Sequence, residues 1–255
     1  MTALVTIEKK GGILALTLNR ADKKNALTHE MYAALADGLD AAHADPDIRV
    51  VYITGSGDAF TAGNDLADFQ SDEETAEEKP VTRFLRTLST ADKPIVAAVN
   101  GLAIGVGVTM LLHCDLVYAG KSATFQLPFV NLGLVPEAAS SLLLPHLVGR
   151  AKAAELFLLG TRFGAGEAEA MGIVAATFDD DSLQAEATHR AEALAIKAPN
   201  AVRITKSLMR NDPESTRARM EEESTHFAAQ LQSAEVKEAI SAFFDKRAPD
   251  FSKAV

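Results

Sequence analysis

Three short apolar runs, each ending in small or polar residues, constrain this chain most: residues 50–54, 95–99 and 116–119 are almost without polar interruption. Strands buried on both faces carry such runs, because helices cover a largely parallel sheet from either side. Between the runs, helical spacing predicts the covering elements. Thr28 stands where a cap would open a helix to about residue 42, with Met31, Leu35 and Leu39 on one face. Residues 105–112 carry a second helical pattern. The chain opens with two alternating segments, 4–9 and 13–18, joined through Gly11 and Gly12, which predicts a hairpin. The order is that of an α/β fold.

From residue 137 onward the pattern turns helical, with helices expected over 138–147, 151–159, 165–171, 183–196, 201–209, 213–232 and 234–244. The organisation expected is a sheet-containing core over 1–197 and a helical region over 198–255, the latter packed outside the core or against a neighbouring subunit. With 255 residues, 47% of them apolar, there is enough material for one large core. The segment 71–80, SDEETAEEKP, has five acidic residues and little to bury. It is expected to be a loop, either a lid at the mouth of a site or a solvated connection.

Charge and cysteine content exclude several functions. The formal net charge of −10, without a cluster of Lys or Arg, disfavours nucleic acid and anionic membranes as partners. A single cysteine, Cys114, rules out an intramolecular disulfide and a thiolate-rich metal site. The six histidines are scattered, with no HExxH, so no metal is expected. The start MTALVTIEKK lacks a signal-peptide pattern and no long apolar span occurs, so a cytoplasmic and bacterial protein is expected.

Three segments can carry chemistry. In Phe60-Thr61-Ala62-Gly63-Asn64-Asp65-Leu66, small residues let a ligand approach the backbone, so that the Asn64 N–H can meet an anion or polarised carbonyl. A plain strand-end turn, with Asp65 as a helix cap, explains the same residues. In Asn100-Gly101-Leu102-Ala103-Ile104-Gly105-Val106-Gly107, the Val106 N–H at a helix start can donate to developing negative charge. The third glycine of a dinucleotide fingerprint is missing, and so is the acidic residue about 20 positions on. In Leu132-Gly133-Leu134-Val135-Pro136-Glu137-Ala138-Ala139, Glu137 has apolar company that would raise its pKa toward a useful base. Pro136 and Glu137 equally suit the first turn of a helix, where they need no catalytic role.

The chain resembles the enoyl-coenzyme A (CoA) hydratase/isomerase, or crotonase, family, and within it the delta-3,delta-2-enoyl-CoA isomerases. The resemblance runs through Leu18-Asn19-Arg20, Lys24-Asn25-Ala26-Leu27, FTAGNDL, Lys93-Pro94-Ile95-Val96-Ala97, NGLAIGVG, Cys114-Asp115-Leu116-Val117-Tyr118-Ala119 and Phe243-Phe244-Asp245-Lys246-Arg247. It implies a crotonase-like (ClpP/crotonase) fold of stacked ββα units with a C-terminal helical trimerisation region, assembled as a homotrimer or dimer of trimers. It also implies an acyl-CoA substrate, with no permanently bound cofactor, and a place in fatty-acid metabolism.

By the same resemblance, the N–H groups of Asn64 and Val106 form an oxyanion hole. Ala26, Ala62, Gly63, Asp65, Leu66 and Gly105 line the CoA thioester, Lys23 and Lys24 meet its adenine and phosphates, and Phe243 and Lys246 approach it from the last helix. Phe129 and Leu134 belong to the substrate site and keep water from adding. Hydratases of the family carry two water-handling glutamates where this chain has Thr109 and Phe129, whereas Glu137 falls at the isomerase position, usually glycine in hydratases. The function implied is transfer of a double bond from the 3 to the 2 position by Glu137. Hydration or another acyl-CoA reaction, and noncatalytic acyl-CoA binding, are the alternatives.

Overall fold

The computed structural model describes residues 3–67, 78–210 and 212–253. Val5–Lys10 (β1) and Ile13–Leu18 (β2) pair antiparallel, with Val5 opposite Leu18 and Lys10 opposite Ile13. Gly11 and Gly12, at φ 58° and 80°, supply the left-handed turn between them. Thr28 caps His29–Ala44 (α1) by accepting from the Met31 N–H at 3.3 Å, and Met31, Leu35 and Leu39 are buried as predicted.

Val50–Gly55 (β3), Ile95–Val99 (β5), Leu116–Gly120 (β7) and Ala176–Phe178 (β10) extend the hairpin in parallel, giving the order β1-β2-β3-β5-β7-β10. On one face lie α1 and Pro80–Thr90 (α2) with the main core. The other face, from Val50, Tyr52, Val96, Ala98 and Tyr118, is covered by Leu183, Ala187 and Ala191 of Asp180–Ala195 (α7). Double coverage is why these strands read as unbroken apolar runs.

A second sheet, ordered β4-β6-β8-β9, consists of Ala59–Thr61 (β4), Leu102–Ile104 (β6), Thr124–Gln126 (β8) and Phe163–Gly164 (β9). The chain steps from β3 to β4, from β5 to β6 and from β7 to β8 within a few residues. The first two steps are so close that a Cβ on Gly55 would lie 2.3 Å from the Ala59 carbonyl oxygen, and one on Gly101 2.2 Å from that of Asp58. This sheet was not foreseen, since strands of two or three residues leave no periodicity to read. Nor were β10, inside a stretch expected to be helical, and α2, which opens at Pro80. Of the acidic segment, residues 71–77 lie outside the described residues, so the lid expectation falls there. Glu78 pairs with Arg86 at 3.0 Å.

The remaining helices are Val106–Thr109 (α3), Ser140–Val148 (α4), Arg150–Leu159 (α5), Ala165–Ala170 (α6), Pro199–Met209 (α8), Pro213–Leu231 (α9) and Ala234–Phe244 (α10). The helix expected from residue 138 begins only at Ser140, because Ala138 and Ala139 adopt left-handed φ of 61° and 55°. Lys206 anchors α8 to the core: its Nζ lies 2.6 Å from Asp115 Oδ2 and 2.8 Å from the Lys93 carbonyl oxygen. Burial lowers the Lys206 pKa, against the opposing pull of Asp115. Ile204 and Leu208, one helical turn apart on α8, are 60% and 81% exposed. Among the described residues no helix is long and apolar enough to cross a membrane.

Candidate active site

Strand pairing leaves two backbone amides unused at the ends of neighbouring strands. Leu27 N donates to the Gly63 carbonyl at 2.8 Å and Asp65 N donates to the Leu27 carbonyl at 2.9 Å, forming a parallel bridge between Leu27 and Asn64. In such a bridge Asn64 turns its own N–H to the opposite side. Gly63, at φ 89°, is needed here because a Cβ would come within 2.8 Å of the Ile104 carbonyl oxygen. The Tyr32 hydroxyl donates to Asn64 Oδ1 and holds that side chain.

The second amide belongs to Val106, the first residue of α3, which has no intrahelical partner. Gly105 ahead of it, at φ 56°, donates to the Gln126 carbonyl at 2.9 Å. Because β4 and β6 run parallel, with Thr61 opposite Ala103, the two turns leave neighbouring strands at the same end. A Cβ on Gly107 would lie 2.5 Å from Thr61 Cγ2, so α3 packs directly on β4. Among the described residues, neither the Asn64 nor the Val106 N–H donates to a protein acceptor. Two amides without protein acceptors, at the ends of neighbouring parallel strands, are the raw material of an oxyanion site.

Glu137 is 9% exposed, and Thr109 Oγ1 donates to its Oε1. Its Oε2 is buried without a hydrogen-bond partner. Burial pushes the Glu137 pKa up to about 7; the Thr109 hydrogen bond holds it down and the charge of Glu223 pushes it further up. Phe129 and Leu134, each 5% exposed, belong to the same buried apolar cluster as Ala138.

The first-turn explanation of Pro136 and Glu137 is overturned, since both precede α4 and two left-handed alanines separate Glu137 from it. The peptide joining those alanines is gripped at both ends. His113 Nε2 lies 2.7 Å from the Ala138 carbonyl oxygen, and Ala139 N donates to Glu223 Oε2 at 2.6 Å. Ser141 N donates to the other Glu223 oxygen at 2.9 Å. Burial lowers the His113 pKa to about 4, so the ring is neutral near pH 7 and carries its proton on Nε2, facing the carbonyl.

The residues expected along CoA fall into two groups. Lys23, Lys24, Ala26, Ala62, Gly63, Asp65 and Leu66 are brought together, because Ala62 N donates to the Lys24 carbonyl at 2.9 Å and the Leu27–Asn64 bridge continues the contact. Lys24 is exposed and pairs with Asp58 at 2.6 Å. One Asp65 oxygen accepts from Ala67 N at 3.1 Å and the other from Arg20 at 2.6 Å. Burial pushes the Asp65 pKa up, but the Arg20 and Ala67 hydrogen bonds outweigh it and lower the carboxyl. Phe243 and Lys246 stand exposed at the end of α10. No hydrogen bond joins them to the 23–66 group among the described residues.

Sequence reasoning did not find Thr109, Glu223, His113 or Tyr32 as partners of the site. For Glu223 a signal existed: Met220, Glu223 and Phe227 follow helical spacing, which puts a carboxylate in an apolar stripe.

The sequence profile described as enoyl-CoA hydratase/isomerase matches residues 8–254. The chain is 40% identical over 250 residues to the Rattus norvegicus protein named enoyl-CoA delta isomerase 2, a match covering 95% of this chain and 64% of that one. It thus spans slightly less than two thirds of that relative's length. To the Escherichia coli protein named 1,2-epoxyphenylacetyl-CoA isomerase it is 34% identical over 249 residues, covering 94% and 95% of the two chains. The solved structure titled enoyl-CoA hydratase/isomerase from Pseudoalteromonas atlantica superposes with a TM-score of 0.95 at 52% identity, covering 97% and 99%. The match spans both sheets and the C-terminal helices, and the chain is a member of the enoyl-CoA hydratase/isomerase (crotonase) family with that family's fold.

Proposed function

We propose that the protein converts a 3-enoyl-CoA thioester to its conjugated 2-enoyl isomer, with Glu137 as the only base. The observation that carries this reading is the buried Glu137 carboxylate, tethered through one oxygen and unpartnered at the other. Glu137 Oε2 removes a proton from carbon 2, and the electron pair passes to the thioester oxygen, giving a dienolate. The Asn64 and Val106 amides hold that oxygen as it becomes negative, and losing one such donor costs roughly 3 kcal/mol. Glu137 then delivers the proton to carbon 4, leaving the double bond between carbons 2 and 3.

Hydration needs a carboxylate to activate water, and the family's two positions for it hold Thr109 and Phe129. The nearby Glu223 does not substitute, since both of its oxygens accept backbone amides. The 23–66 group takes the CoA moiety, with Lys23 and Lys24 toward its phosphates. The exposed apolar stripe of α8 is the subunit contact, in a homotrimer or dimer of trimers, and Phe243 and Lys246 complete a CoA site across it.

The test is a product-resolved assay on 3-enoyl-CoA thioesters of several chain lengths. A 2-enoyl product is expected, and Glu137→Gln should lose roughly 10²- to 10⁴-fold in turnover while still binding the thioester. A 3-hydroxyacyl product from a 2-enoyl substrate would establish hydration instead. Tight binding without solvent exchange at carbon 2 would establish a noncatalytic binder.

A further inference from the structure

We propose that Glu223, on helix α9 of the C-terminal region, is a positioning residue for Glu137: with His113 it fixes the peptide that sets the direction of the Glu137 carboxylate. The inference deepens the assignment of Glu137 as base and rests on it.

The geometry is specific. Ala138 and Ala139 are non-glycine residues at φ 61° and 55°, and two such residues in succession persist only when their surroundings impose them. The surroundings are the hydrogen bonds at the two ends of one peptide unit, His113 to the Ala138 carbonyl and Glu223 to the Ala139 amide. Glu223 also takes the Ser141 amide, so one carboxylate satisfies two donors at the entry to α4. Glu137 is the residue immediately ahead of this turn, and its own carbonyl accepts from Ser140 N at 3.0 Å. Rotation of the clamped peptide would displace the Glu137 carboxylate carried on the same backbone.

The charges around the clamp are few. Glu137 is faced by Thr109 from α3 and by Glu223 from α9. Glu223 has Arg219 on its own helix, and Arg219 itself lies 3.3 Å from Glu222. His113 feels Lys206 of α8 and Arg210 just beyond its end, which add to the effect of burial in keeping it neutral. Burial pushes the Glu223 pKa up, while the Ser141 and Ala139 amides favour its charged form. A charged Glu223 therefore acts on Glu137 in two ways, by holding the turn and by like-charge repulsion.

The experiment uses the full chain and two readouts. The first is kcat and KM for a 3-enoyl-CoA thioester. The second is the titration of the Glu137 side-chain ¹³C carboxyl resonance, assigned by its loss in Glu137→Gln. Glu223→Gln can accept only one of the two amides and carries no charge. It should lower kcat roughly 10- to 100-fold with KM unchanged, as for a misplaced catalytic group. It should also move the Glu137 titration midpoint to lower pH.

Glu223→Asp keeps the charge but not the reach, and should lower kcat with a smaller movement of the midpoint. If Glu223→Gln does not fold, Glu223→Asp carries the test, and wild-type kcat in it overturns the proposal. An unmoved midpoint in folded Glu223→Gln also overturns it, whatever happens to thermal stability. Full turnover by Glu137→Gln would remove the base assignment itself, while the titration would still report whether Glu223 governs that carboxyl.

Discussion

Thr109 Oγ1 donates to Oε1 of Glu137 and leaves Oε2 as the buried, unpartnered oxygen. On the proposed mechanism the bond leaves Oε2 to exchange the proton, and it stabilises the ionised carboxylate. As the proposed base Glu137 must be ionised, so kcat/KM should rise with pH through about 7, the value to which its carboxyl is pushed. Thr109→Val preserves shape and deletes the hydrogen bond. The acid limb should then shift to higher pH, with activity near neutrality reduced and partly recovered in more alkaline buffer. An unmoved limb in a pH–rate profile would show that Thr109 does not contact the working base.

Gly107 tests the oxyanion geometry without touching either amide. A methyl group at this position would meet Thr61 Cγ2 at 2.5 Å and displace either α3, which carries the Val106 N–H, or Thr61, whose hydroxyl accepts from the Gly63 N–H beside Asn64 at 3.0 Å. Gly107→Ala should lower kcat by roughly 10- to 100-fold, the cost of about an ångström of misplacement. Steady-state kinetics at saturating thioester, beside a circular dichroism melt, will separate this from unfolding. Wild-type kcat would mean that Val106 does not hold the reacting oxygen.

Glu137 and His113 act on stability with opposite pH dependence. The Glu137 carboxyl rises from 4.5 to about 7 on folding, so the folded chain binds the proton more tightly and stability is lost as pH increases across that window. The His113 ring falls from 6.5 to about 4, so its contribution is present above the upper value and lost as pH decreases toward the lower. Where the windows overlap, the two trends offset. Glu137→Gln should therefore match the wild type in unfolding free energy below pH 4.5 and exceed it increasingly up to pH 7, by at most about 3 kcal/mol. Calorimetry across pH 4–8 measures the difference, and a constant offset would contradict burial as the cause of the shift.

The apolar stripe on α8 predicts association. Ile204→Glu with Leu208→Glu puts two charges where 60% and 81% of those side chains now face outward. In a lone chain the change would be close to neutral for stability. In an assembly using this face it would weaken the contact, and sedimentation velocity should show smaller species than the wild type. Equal sedimentation of the two proteins would place the subunit contact elsewhere.

Legibility in the sequence followed the length of the pattern. Strands β1, β2, β3, β5 and β7 could be read because five or six residues are enough to show alternation or an unbroken apolar run. The three residues of β4 and of β6 are not, although their ends position both amides. The FTAGNDL and NGLAIGVG turns were readable because glycine marks a backbone that must bend or be approached. Ala138 and Ala139 carry no such mark, and only tertiary hydrogen bonds force them left-handed, so the helix was expected two residues early. Glu223 shares a helical stripe with Met220 and Phe227 but directly follows Glu221 and Glu222, which read as a solvated face, and its burial is completed when α9 packs on α4.

The spatial sequence of the large sheet, β1-β2-β3-β5-β7-β10, is also the order in which its members occur along the chain, and the small sheet obeys the same rule. No ribbon has to be wedged between two that have already joined; each newcomer is added to an open margin. The large sheet can therefore grow outward from the amino-terminal hairpin, and the small one from β4, as the polypeptide leaves the ribosome, without undoing earlier pairings.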